Sequence, residues 1–276
     1  MGELYRRKVV LDIIPITGMQ RRIQDLRIQF KIEKTNESST NKSEISIFNL
    51  SQETRSLFEA KGTRVHLSIG YLGLSPNKLV GSTSNVDLVF VGDITKIDQS
   101  LNPPDLITKI ISGDGDNRHR NAKHTRGYPP NTKLLTALNN VADDFGLSRK
   151  VFVDIPDITI AHGLALRGLC RNHMDTLTQP NGLEWSIQDD ALQVIPVGGT
   201  TSENPILLNK DTGLIGSPKK GEKGKIEFTS LIQPGLKPGR KVQIKSDVLS
   251  GFFKIRKVIH DGDSQRGTFL SKCEAT

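Results

Sequence analysis

Aromatic side chains are scarce in this chain: one Trp, three Tyr and ten Phe among 276 residues. Proteins that hold single-stranded nucleic acid stack bases on exposed rings, so this scarcity argues against such a role. The net charge of +8 would still attract phosphate or an acidic partner. Cysteine is nearly absent as well. Cys170 and Cys273 stand far apart, with neither a CxxC pair nor a Cys/His cluster at metal-ligand spacing, which argues against a disulfide scaffold. No apolar run approaches the roughly 18 residues of a membrane span. The opening stretch MGELYRRKVVLDIIPITG is positively charged, but Asp12 and Pro15 interrupt its apolar part, so it does not read as a secretory signal. A protein made and folded in a reducing cytoplasm is expected.

What is present is a period of two. Leu26, Ile28, Phe30 and Ile32 alternate with polar neighbours, and Val65, Leu67 and Ile69 repeat the pattern. Further strands are expected at 9–14, 44–48, 87–97 and 106–112, with turns at 36–42 and 82–85. Strands at this spacing suggest a barrel or sandwich. One short helix interrupts them, with Ser51 as N-cap, Glu53 in its first turn, Leu57 and Phe58 on its apolar face and Gly62 as its stop.

From 117 to 198 the pattern changes. Leu134, Leu135, Leu138, Val141 and Phe145 recur at helical spacing before Gly146. A second helix is expected over 165–177, weakened by Gly168, and a hairpin over 183–197 turning at Asp189 and Asp190. Residues 199–223 are rich in Gly, Ser, Thr, Lys and Pro and read as a mobile loop. Strands return at 225–231, 241–246, 251–261 and 267–274. The expected division is therefore a β-barrel domain at 1–116, an α+β insert at 117–198 and a second β-barrel domain at 199–276. The fold class is mainly β, α+β overall.

Several groups invite a chemical reading. Asp114 and Asp116 in SGDGD, with Asp93, resemble a hard-cation cluster but lack the spacing and terminal Glu of a calcium loop, so tight-turn chemistry is the expectation. The glycines there match neither GxGxxG nor a Walker loop. His119 and His124 lie in the basic string RHRNAKHTR, expected as a solvated surface loop. Its cations Arg118, Arg120, Lys123 and Arg126 are the candidate subunit contact. His162, Cys170 and His173 accompany no GxSxG or HExxH motif, which leaves a helix with an incidental thiol. Glu184 beside Trp185 supplies one carboxylate, whereas glycoside hydrolysis needs two. No catalytic, cofactor or metal residue is assigned, and a non-enzyme is expected.

The strings KSEISIFNLSQETRSLF (42–58), VFVGDITKID (89–98), ISGDGD (111–116) and FTSLIQPGLKPGRKVQIKS (228–246) together resemble the baseplate hub proteins of tailed phages. GFFKIRKVIHDGDSQRGTFLSKCEA (251–275) looks like that family's closing hairpin, its marked residues here being His260, Gly262 and Asp263. The resemblance implies a virion protein of the tail baseplate. It also implies a homotrimer whose subunits each offer two tube-like β-barrels, forming a ring between the tail tube protein and the spike protein, beside other baseplate proteins. Exposed strand edges need cover, and a ring of neighbours supplies it. Two rival readings are a nucleic-acid-binding β-barrel and a tail-associated cell-wall hydrolase.

Overall fold

The computed structural model describes residues 6–16, 19–59, 62–73, 84–221 and 224–276. The expected turn at 82–85 and the end of the expected loop at 199–223 lie partly outside them.

The N-terminal part is β1 (Arg7–Ile14), β2 (Arg21–Ile23), β3 (Ile28–Thr35), β4 (Lys42–Phe48), α1 (Gln52–Glu59), β5 (Arg64–Tyr71), β6 (Asp87–Asn102) and β7 (Asp105–Gly113). Alternation explains these strands. In β3, Ile28, Phe30 and Ile32 are buried while Lys31 between them is exposed. Their core also takes in Leu11, Ile13, Ile45, Ile47, Leu67, Ile69 and Phe90. In α1 the Ser51 hydroxyl accepts the Thr54 N–H at 3.2 Å, the expected N-cap, and Gly62 follows at φ 82°.

The middle part is α2 (Asp116–Asn121), β8 (Lys123–Tyr128), β9 (Thr132–Lys133), α3 (Leu134–Phe145), β10 (Arg149–Phe152), β11 (Thr159–Ile160), β12 (Leu164–Leu169), α4 (Cys170–Thr178), β13 (Leu183–Gln188) and β14 (Ala191–Pro196). Helix α3 is where the periodicity places it, burying Leu134, Ala137, Leu138, Val141, Ala142 and Phe145 along one stripe. Gly146 closes it at φ 70°. The helix expected over 165–177 begins only at Cys170. Before it the chain is β12, because Leu166 points into the core while Arg167 points out and the segment pairs antiparallel with β8. The string at 118–126 is likewise not a loop but the end of α2 followed by β8. A six-residue helix is too short to write a period in sequence.

The C-terminal part is β15 (Ile206–Leu208), β16 (Leu214–Lys220), β17 (Ile226–Leu231), β18 (Lys241–Lys245), β19 (Ser250–Asp263) and β20 (Phe269–Ala275). Two of these strands lie within the segment expected as a mobile loop. Ile206, Leu208 and Leu214 join the C-terminal core, and that burial overrides the turn-forming composition around them.

The two β regions are not separate. β3 pairs antiparallel with β19 from Gln29↔Asp263 to Thr35↔Lys257, which fuses them into one 13-stranded sheet. Its order runs β16-β17-β20-β19-β3-β4-β7-β6-β5-β1-β2, with β18 and β15 branching from β19. The order ends at β16 and β2, so among the described residues backbone pairing closes no barrel. Ile232 and Phe269 of the C-terminal part also enter the N-terminal core. The middle part differs, since among the described residues its core draws only on Ala122 to Val194.

The charged joint and the candidate subunit surface

β13 and β14 form a two-faced hairpin. Leu183, Trp185, Ile187, Leu192 and Val194 face the insert core. Glu184, Ser186, Gln188 and Gln193 face the fused β regions instead, and all but Glu184 are buried there. The turn between the strands is Asp189–Asp190, both left-handed at φ 53° and 62°, as expected from the sequence. Ala191 and Ile195 share this face and are buried, but the rest of it is polar, and each of its polar groups needs a partner.

Asp189 meets Lys34 Nζ at 2.6 Å, and both side chains are at most 2% exposed. Lys237 Nζ lies 3.2 Å from the other Asp189 oxygen, close enough for an ion pair. Burial alone would raise the Asp189 pKa, but the Lys34 and Lys237 ammonium charges outweigh it and hold the carboxyl below its ordinary range. Asp190 Oδ1 meets Arg118 at 2.5 Å and Arg64 at 2.9 Å. Asp114, fully buried, accepts the backbone N–H groups of Asp189 and Asp190 at 2.7 and 3.0 Å. Burial, then the nearby Asp189 charge, push the Asp114 pKa up to about 6, against the pull of Lys34 and the two N–H donors.

At the other end of the wedge Glu184 is ion-paired with Lys254 and, at 2.9 Å, with Arg256, and accepts the Asn36 amide at 2.5 Å. Both its oxygens are occupied, so it is a structural anchor and not a free carboxylate. Gln188 donates to the Thr35 carbonyl at 2.7 Å, and Asn41 donates to that of Ile187 at 2.7 Å. In the sequence Asp114 reads as turn chemistry, and Lys34 goes unmarked. The signal for Lys34 was there, because it occupies the next inward position after Ile28, Phe30 and Ile32.

The candidate contact residues separate. Arg118 is spent on Asp190 within the chain, and Arg120 pairs with Asp116 at 2.9 Å. Lys123 and Arg126 are exposed on β8 and form no ion pair among the described residues. His124, expected on a surface loop, is buried; its Nδ1 lies 2.7 Å from Asp144 and its Nε2 3.0 Å from the Tyr128 hydroxyl. His119 is half-buried, with Nε2 2.9 Å from the Ser38 carbonyl. Cys170 lies in the insert core, where burial pushes its thiol up to about 11. Trp185 fills the same core and donates to Asp175 at 2.7 Å. Among the described residues no three His, Cys, Asp or Glu side chains are grouped to hold a metal. No helix among them is long and apolar enough to cross a membrane.

The closing hairpin forms a second polar cluster. Asp263 accepts hydrogen bonds from Arg27 at 2.8 and 2.9 Å, from Gln29 at 3.0 Å and from the Gln265 N–H at 2.9 Å. Burial opposes its charge, but these donors hold its pKa down to about 2. His260, fully buried, sits 2.9 Å from the Ser271 hydroxyl, and burial followed by the Lys34 charge lowers its pKa to about 3, leaving it neutral.

The architecture is a mainly antiparallel sheet over two cores, with the insert wedged against it. Over 98% of its length and 98% of the other, the chain resembles the 43 kDa tail protein of prophage MuSo2 from Shewanella oneidensis (TM-score 0.64, 11% identity). A tail protein of Neisseria meningitidis MC58 gives TM-score 0.65 at 9% identity over 98% and 96% of the two chains. The E. coli c3393 protein, a component of the type VI secretion system described as structurally similar to the T4 tail proteins gp27 and gp5, gives 0.62 at 12% identity over 96% and 76%. No curated protein matches the sequence. The chain belongs to the baseplate hub gp41 family, matched over residues 8–275. It is a structural hub subunit of the virion tail baseplate.

Proposed function

We propose that three copies of this chain form a ring that joins the tail tube to the central spike. The observation that carries this reading is the β3–β19 pairing, which ties two β regions, each with its own core, into one sheet. Three copies then present six β regions, the number that suits a hexameric tube. On this reading residues 1–116 and 199–276 act as the two tube-like domains and 117–198 as the insert between them. The sheet ends at strands guarded against random pairing, by Pro218, Lys219 and Lys220 on β16 and by Arg21 and Arg22 on β2. Copies therefore meet through side chains as much as through strand edges, and Lys123 and Arg126 of the insert supply an electrostatic contact. The protein acts through these surfaces, without catalysis and without sequence-specific nucleic-acid binding. Native mass measurement tests the ring: a trimer supports it, and a monomer throughout the micromolar range overturns it. Clearing of peptidoglycan in a zymogram would overturn the non-enzymatic reading.

A further inference from the structure

The three cores are joined unequally. The β regions share a sheet, and apolar side chains cross between their cores. The insert keeps a core of its own and meets the β regions mainly through polar groups: Asp189 with Lys34, Asp190 with Arg64, Glu184 with Lys254, and Gln188 with the Thr35 carbonyl, with buried Ile195 beside Gly239 as an apolar exception. Buried ion pairs give little net adhesion, because the desolvation they require nearly cancels their attraction, and water restores that hydration once they separate. Apolar contacts would resist separation over their whole area. The chain enters the insert at Gly115, with φ +60° and its Cβ position 3.2 Å from Leu147 and 3.3 Å from Ile187 of the insert, and leaves it at Gly198, with φ +84° and open space around its Cβ position. Val197 beside the exit is 64% exposed.

We infer that the insert is a separable body held by a charge lock, which swings out as a unit about these two links while both β regions stay fused. Opening exposes the polar face of the β13–β14 hairpin and leaves all three cores intact, a sub-global opening below the free energy of unfolding. In a hub subunit this provides a joint between the insert and the sheet that a partner can hold open or shut. The inference stands on contacts within one chain and does not depend on the number of copies.

The chain carries its own controls for the test. Cys170 lies in the insert core and Cys273 in the C-terminal core, both buried, so each reacts with a thiol reagent only when its core opens. Ser186, 1% exposed, lies on the polar face of the wedge. In Ser186→Cys the introduced thiol is expected to react roughly tenfold or more faster than Cys170 and Cys273, and adding Lys34→Met should widen that gap. Reaction of all three thiols at one common rate would overturn the inference, because the joint would then open only by global unfolding. The comparison within Ser186→Cys alone decides the matter if the Lys34→Met chain does not fold.

Discussion

The Asp114 carboxylate accepts the backbone N–H of Asp189 at 2.7 Å, across 75 residues of chain. Its second oxygen accepts the N–H of Asp190 at 3.0 Å, so one side chain completes both donors of the hairpin turn. The SGDGD string is thus tied to the QDDA turn, and the end of the first β region is stitched to the tip of the wedge.

Removing that carboxylate leaves two buried N–H groups without partners. Asp114→Ala is expected to lower stability by about 2–5 kcal/mol, whereas Asp114→Asn, which keeps one acceptor oxygen, should lose less. Urea denaturation of the two variants measures the difference. Equal losses would mean that the charge matters and the acceptors do not.

The pH dependence of this carboxyl has a defined sign. With its folded pKa raised to about 6, the native state binds the proton more tightly than the unfolded chain does. Its contribution to stability is greatest below the ordinary carboxylate pKa of about 4 and falls as pH rises through 6. Stability profiles of the wild type and Asp114→Asn between these limits should differ in slope, the variant having lost the decline. Parallel profiles would assign the slope to other groups.

Asp263 acts with the opposite sign. Its carboxyl is held to about 2, so its stabilisation is present above pH about 4 and is lost as pH falls toward 2. The shift corresponds to about 2 kcal/mol. Asp263→Asn should be less stable than the wild type at pH 7 by that order and converge with it in acid, as followed by thermal melts across the range.

Periodicity made most of the β regions and α3 legible, because half-buried strands and an amphipathic helix write their burial into residue order. It failed for α2 and β8, where six-residue elements leave too few repeats, and for β12, where Ala165 and Leu166 suited a helix until pairing with β8 decided otherwise. The β3–β19 fusion was invisible because nothing local encodes the pairing of strands so distant in sequence. The candidate contact was half legible. Charge marked the string at 118–126, but only tertiary structure separates Arg118, bound to Asp190, from Lys123 and Arg126 in solvent.

Gly262 is required by close packing. A Cβ there would lie 2.6 Å from Phe30 Cζ and 2.7 Å from Phe269 Cδ2, and those rings stack edge to face at 5.9 Å. Gly262→Ala is expected to cost about 1–3 kcal/mol through overpacking. Calorimetry measures it, and a variant as stable as the wild type would show that the two rings give way without strain.

Charge reversal distinguishes the residues of the basic string from one another. Arg118→Glu sets a second carboxylate beside Asp190 and leaves Asp190 with Arg64 alone, so the isolated chain should lose about 1–3 kcal/mol. Lys123→Glu and Arg126→Glu remove no ion pair among the described residues, and the stability of the isolated subunit should change by less than about 0.5 kcal/mol. If β8 faces a neighbouring copy, those two reversals weaken association while Arg118→Glu weakens the subunit itself. Sedimentation velocity reports association and chemical denaturation reports folding. Unchanged association after both β8 reversals would remove this strand from the interface, and loss of folding in either would show that it is braced by contacts within the chain.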